Sequence, residues 1–254
     1  MSLVDYPILA YVGNPIDVIK KFHSNKQWDE IVSFCQKMLD SDPKDMVALQ
    51  NMATAFLNLG KFDQVLSCCD TVLGLNGFDE YALKNKILAL ERLGRHDQII
   101  PYCDKLLIKN PTHTWALNSK GLACNEMGKH TDALNYYSMA LRVEPNNITS
   151  LLNKAMTLSF LGKYDESIPY YDDVQKQEKL SDVASAKSEA YQRLGKEDEA
   201  FLAAQGMLVS DIVRYVSEAK AKKMKVFDYY CMVEYEDLER REKEHQQKLD
   251  SRLG

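Results

Sequence analysis

Two adjacent cysteines, Cys68 and Cys69, stand directly before Asp70. A thiol pair beside a carboxylate has the composition of a redox or metal centre. The other cysteines fall at 35, 103, 124 and 231, and no C-x-x-C spacing occurs, so zinc finds no paired ligands. His96 and His130 are the next candidates, but no further ligand keeps a fixed distance from either. There is no Ser/His/Asp set, phosphate loop or HExxH motif. The residues therefore imply no metal, no cofactor and no enzyme.

The spacing of these residues has a different origin. Cys35, Cys69 and Cys103 are 34 residues apart, and Tyr137 and Tyr171 continue the series. His96 and His130 are also 34 apart, where Phe62 and Tyr164 stand in other copies. The segments LGKFDQVLSCCDTVL from Leu59, LGRHDQIIPYCDKLL from Leu93, MGKHTDALNYYSMAL from Met127 and LGKYDESIPYYDDVQ from Leu161 share that period, and LGKEDEAFLAAQGML follows 33 residues later from Leu194. A degenerate copy, NKQWDEIVSFCQKML, begins at Asn25. A period of this length marks stacked supersecondary units.

Each unit reads as two helices. Leu49, Met52, Ala53 and Phe56 lie on one helical face before the glycine. Phe62, Val65, Leu66, Cys69, Val72 and Leu73 form a second face after it. Gly60, Gly94, Gly128, Gly162 and Gly195 end the first helix by taking a left-handed conformation. Pro43, Pro111 and Pro145, with Gly77 in the same phase, stop the second. Asp45, Asp79 and Asn147 are placed to cap the next first helix. Cys35, Cys69 and Cys103 then become small hydrophobes of a core, and Cys68, one step off, is expected to be less buried.

The 34-residue period, the L-G-K-[FY]-D core and the closing proline resemble the tetratricopeptide repeat family, in its prokaryotic style. The resemblance implies an all-α fold, a right-handed α-solenoid of helix-turn-helix repeats. Its register gives a degenerate first repeat within 1–45 and five units at 46–79, 80–113, 114–147, 148–180 and 181–214. From Met207 to Leu253 the chain has no proline or glycine, and one long helix is expected, capped by Ser210 or Asp211. Its first half would cover the apolar end of the array. Its tail would be solvated, with Glu239–Lys243 and Glu244–Lys248 as i, i+4 pairs.

The resemblance also implies a concave face lined by first helices, where a protein or peptide partner would bind. The inward positions include Asn51, then Tyr81, Lys84, Asn85 and Arg92. Further along they include Trp115, Asn118 and Asn125, and finally Asn153 and Phe160. Asn51, Asn85 and Asn153 share a phase, with Ser119 between them. Such a ladder offers a donor and an acceptor at every step to an extended peptide backbone. Lys86, Lys120, Lys154 and Lys187 follow in the next phase. Their stems are expected to pack while the amines reach motif carboxylates; the competing reading is attraction of an acidic ligand. The two-carboxylate clamp of chaperone-binding members is absent, since Leu88 stands where it needs asparagine.

Composition limits the alternatives. The net charge of −5 gives no field for nucleic acid. No apolar run is long enough to span a membrane. The opening stretch MSLVDYPILAYVGNP has no basic start and carries Asp5, so it does not read as a signal peptide; a cytoplasmic protein with reduced thiols is expected. The reading is an interaction scaffold without catalysis. Its alternative is self-association or complex assembly through the solenoid and the C-terminal helix.

Overall fold

A computed structural model describes residues 14–253; the opening stretch up to residue 13, read above for export signals, lies outside them. The described residues are helical throughout apart from short turns, and they divide into two bodies at Lys129/His130. The N-terminal body holds α1 (Pro15–Ser24), α2 (Trp28–Ser41), α3 (Met46–Asn58), α4 (Phe62–Leu75), α5 (Glu80–Arg92), α6 (Ile100–Lys109) and α7 (Thr114–Glu126). The C-terminal body holds α8 (His130–Val143), α9 (Ile148–Phe160), α10 (Tyr164–Gln177), α11 (Ser181–Arg193), α12 (Glu197–Ala204), α13 (Val209–Ala221) and α14 (Val226–Leu253). No described helix is long and apolar enough to cross a membrane.

The turn inside each pair follows from its glycine. Gly60, Gly94, Gly128, Gly162 and Gly195 all have φ between 68° and 75°. After Gly60, the Lys61 amide donates to the Phe56 carbonyl at 2.9 Å, closing the first helix with a six-residue loop. The turn between pairs is equally local. Asp45, Asp79, His113 and Asn147 donate their amides back three residues at 3.0–3.1 Å, across Pro43, Gly77, Pro111 and Pro145. Asp45, Asp79 and Asn147 cap as expected, accepting from Ala48, Ala82 and Ser150 at 3.0, 2.8 and 3.0 Å. His113 takes the same role with a ring nitrogen, accepting from the Ala116 amide at 3.3 Å.

The core is a series of clusters, each closed by the next first helix. In the N-terminal body Ile19, Ile31 and Cys35 are sealed by Ala48 and Ala55 of α3. Leu49, Phe56, Val65 and Cys69 are sealed by Ala82 and Ala89 of α5, and Leu83, Leu90 and Cys103 by Ala116 and Ala123 of α7. These alanines are seven residues apart, two turns on one face, and none exceeds 2% exposure. Cys69 is 1% exposed and Cys68 6%, so the adjacent thiols both belong to this packing.

The C-terminal region departs from the expected single helix. It is a helix pair, broken between α13 and α14. Lys223 has φ 55° and the Met224 amide donates to the Ala219 carbonyl at 2.9 Å, the loop that the glycines make elsewhere. Ser210 and Asp211 do not cap α13: its cap residue is Leu208, without a side-chain bond. Instead the Val209 amide donates to Oδ1 of Asp172 on α10 at 2.7 Å. Ile212 and Ala219 of α13, again seven apart and both fully buried, close the last cluster with Tyr191, Leu202 and Tyr229. In the tail, Lys243 pairs with Glu239 at 3.9 Å; the expected Glu244–Lys248 pair involves a side chain outside those described.

A left-handed backbone at a lysine costs about 1 kcal/mol that glycine avoids. Lys223→Gly should therefore raise the unfolding free energy by about 0.5–1 kcal/mol. Gly162→Ala should lower it by about 1 kcal/mol, although a Cβ there meets nothing within 4 Å. Urea titration of the two variants measures both effects, and equal midpoints would contradict this view of the turns.

Candidate functional site

In the N-terminal body, side-chain contacts join the first helices α1, α3, α5 and α7 along one face. His23 of α1 meets Asn51 of α3 at 3.1 Å. Gln50 of α3 donates to both oxygens of Asp79, the cap of α5, at 3.1 and 3.0 Å. Thr54 of α3 hydrogen-bonds the Tyr81 hydroxyl of α5. Asn85 donates to the same threonine at 3.4 Å. Lys84 stands 5.7 Å from the Trp115 ring of α7 and pairs with Glu80 at 2.7 Å. His113 lies edge-on to Trp115 at 6.3 Å.

This geometry divides the expected residues. Tyr81 is 44% exposed although its hydroxyl is held, and Trp115 is half-buried. Lys84 is half-buried, Arg92 exposed at the end of α5, and Asn125 half-buried near the end of α7. The asparagines are less open than the ladder implied. Asn85 and Asn118 are each 7% exposed, and Asn51 already donates to the Val47 carbonyl at 2.7 Å and meets His23. An asparagine engaged by its own fold has fewer groups left for a ligand.

The lysine ladder is internal. Lys86 of α5 donates to Asp70 of α4 and lies 4.5 Å from the Tyr102 ring of α6. Lys120 repeats the bond to Asp104. In the C-terminal body Lys154 sits 4.5 Å from the Tyr170 ring. Lys187, fully buried, donates to Asp172 at 3.0 Å and to the Met207 carbonyl at 2.6 Å. Burial pushes the Lys187 ammonium down, against the pull of Asp172. Each amine has a carboxylate or a ring, which favours the packing role over an acidic ligand. The aspartate of the opening Cys-Cys-Asp thus serves Lys86. The thiols beside it are inert: burial raises Cys68 to about 11 and Cys35, Cys69 and Cys103 to about 12. Among the described residues no group of three His, Cys, Asp or Glu side chains converges as metal ligands.

In the C-terminal body Phe160 is 75% exposed at the end of α9, with the His130 ring 4.9 Å away. Asn153 is half-buried, one turn before Thr157, whose hydroxyl donates to its carbonyl at 2.8 Å. Between α9 and α11 lies an apolar pocket of about 520 Å³ lined by Leu152, Met156, Tyr171, Leu180, Val183 and Ala186, with Asp182 at its edge. Leu152 and Met156 occupy the fifth and ninth positions of their repeat, inward positions passed over in favour of polar residues. Glu91 of α5 was passed over too. Burial pushes its carboxyl above the usual carboxylate range, opposed by a hydrogen bond from Ser119 and by Arg92.

A raised folded-state value means that Glu91 favours the folded state below its unfolded value, and that this contribution is lost as pH rises through the folded value. Glu91→Gln should therefore be more stable than the parent at pH 7. The gap should close as pH falls toward the ordinary glutamate value of about 4.3. Thermal unfolding across pH measures it, and a pH-independent gap would contradict the burial argument.

Comparison with known proteins agrees with the repeat. The family described as Tetratricopeptide repeat matches residues 114–147 and again 148–178. A tetratricopeptide repeat protein from Parabacteroides merdae ATCC 43184 is similar in structure, with a TM-score of 0.65, 20% identity, and 74% of this chain and 75% of that chain covered. PilW, a widely conserved type IV pilus biogenesis factor, gives 0.67 at 18% identity, over 78% of this chain and 91% of its own. MamA from Desulfovibrio magneticus RS-1 gives 0.60 at 15% identity, over 64% and 92%. No curated protein matches significantly in sequence. Residues 114–178 are tetratricopeptide repeats, and the same period and glycine-turned helix pairs extend to both sides of them.

Proposed function

We propose that the chain, in the general scaffold role of its family, binds an extended segment of a partner protein on the first-helix face of its N-terminal body. Tyr81 and Trp115 are the anchors. The observation that carries this reading is Tyr81, an aromatic fixed through its hydroxyl to Thr54 yet left 44% exposed. Tyrosine and tryptophan concentrate binding energy because they bring large area at little entropic cost. Holding Tyr81 in place before the ligand arrives lowers that cost further. Thr54 and Lys84 supply the surrounding polar rim.

Selection from a displayed library of unstructured peptides would supply ligands for this face. Tyr81→Ala with Trp115→Ala should then weaken the selected peptides at least tenfold, about 1.4 kcal/mol or more, with helical content unchanged. Unchanged affinity in a folded double variant would place the binding surface elsewhere.

A further inference from the structure

The C-terminal helix carries a surface that its own fold uses only at its start, where the Phe227 ring lies edge-on to Phe201 at 5.3 Å. Phe227, Cys231, Tyr235 and Leu238 follow at i, i+4, i+8 and i+11, which places them within about 80° of arc on one face. All four are exposed, Phe227, Tyr235 and Leu238 by 56, 62 and 54%. By sequence, Leu249 and Leu253 continue the same spacing. Among the described residues the last α14 side chain packed into the C-terminal core is Val233, yet the helix runs on to Leu253. Beyond it, Arg240 and Arg241 pair with Asp237 of the same helix. Helices in proteins draw most of their stability from packing an amphipathic face, and an apolar stripe at near-heptad spacing is the pattern of helix pairing.

The charges along α14 select the partner. Between Val226 and Glu239 there are five acids, Asp228, Glu234, Glu236, Asp237 and Glu239, and no lysine or arginine. Between Arg240 and Leu253 there are five bases and three acids. Two such helices side by side in parallel set the acidic halves against each other. Antiparallel, each acidic half meets the net basic half of the other. We propose that α14 pairs antiparallel with α14 of a second copy of this chain, in the register that centres on residue 242; the acidic stretch up to Glu239 then faces the net basic stretch of the other helix, at the cost of setting Glu242 against its own copy. The stripe supplies the apolar contact and the charge gradient sets the direction.

The full-length protein tests this by light scattering coupled to size exclusion. A species of twice the chain mass is expected, reverting to one chain mass in Tyr235→Lys/Leu238→Lys. Both positions are exposed, so the helical content of that variant should be unchanged. Direction is read by oxidation. The centre of the register brings residue 242 next to itself, whereas two Cys231 thiols lie 22 residues, about 33 Å, apart along the pair. Glu242→Cys should therefore give a covalent dimer and the parent none. A monomeric parent at high concentration overturns the pairing, as does a dimer that survives the double lysine variant. A disulfide through Cys231 in the parent overturns the antiparallel direction.

Discussion

A helix pair of this kind cannot cover its own apolar face, and the fold depends on the small residues that let the next helix do so. Ala48 and Ala55, Ala82 and Ala89, and Ala116 and Ala123 each press two turns of a first helix onto the preceding cluster. Two backbones approach closely only where side chains are short. Interiors packed to crystal density leave no slack for a longer side chain. The cysteines follow from the same constraint. Cys35, Cys69 and Cys103 sit opposite those alanines as compact hydrophobes, and their burial accounts for their lack of acidity.

The end of the array shows the constraint from the other side. The last repeat has no further repeat to close it, and α13 takes that place with Ile212 and Ala219 at the alanine spacing. Asp172 fixes the arrangement, accepting from the Val209 amide that opens α13 and from the buried Lys187. Removing one member would strand a charge in the interior, which is far costlier than never having placed the pair there. The same aspartate phase, Asp70 and Asp104, holds Lys86 and Lys120 in the N-terminal body, so the ladder serves repeat packing.

Much of this was legible in the sequence because it is local. A glycine at a fixed phase announces a left-handed turn, and Asp45, Asp79 and Asn147 announce their caps. The break between α13 and α14 was not legible, because Lys223 adopts the glycine conformation without the glycine. His113 as a cap was hidden for a similar reason: a ring nitrogen does the work of a carboxylate. At the candidate site Tyr81 and Trp115 were expected from their position in the repeat register. It did not show that Asn85 and Asn118 are buried, or that Glu91 is pushed up by burial, because those depend on what neighbouring helices bring. The pocket beside Leu152 and Met156 was missed because apolar residues at helical spacing read as core.

The most direct test of the account enlarges one closing alanine. Ala89 of α5 is fully buried against the cluster of Leu49, Phe56 and Cys69. Ala89→Leu, followed by chemical denaturation of the full chain, should lose about 1–3 kcal/mol through overpacking. An unchanged midpoint would mean that the helices are not held at the distance alanine sets, and would contradict the account.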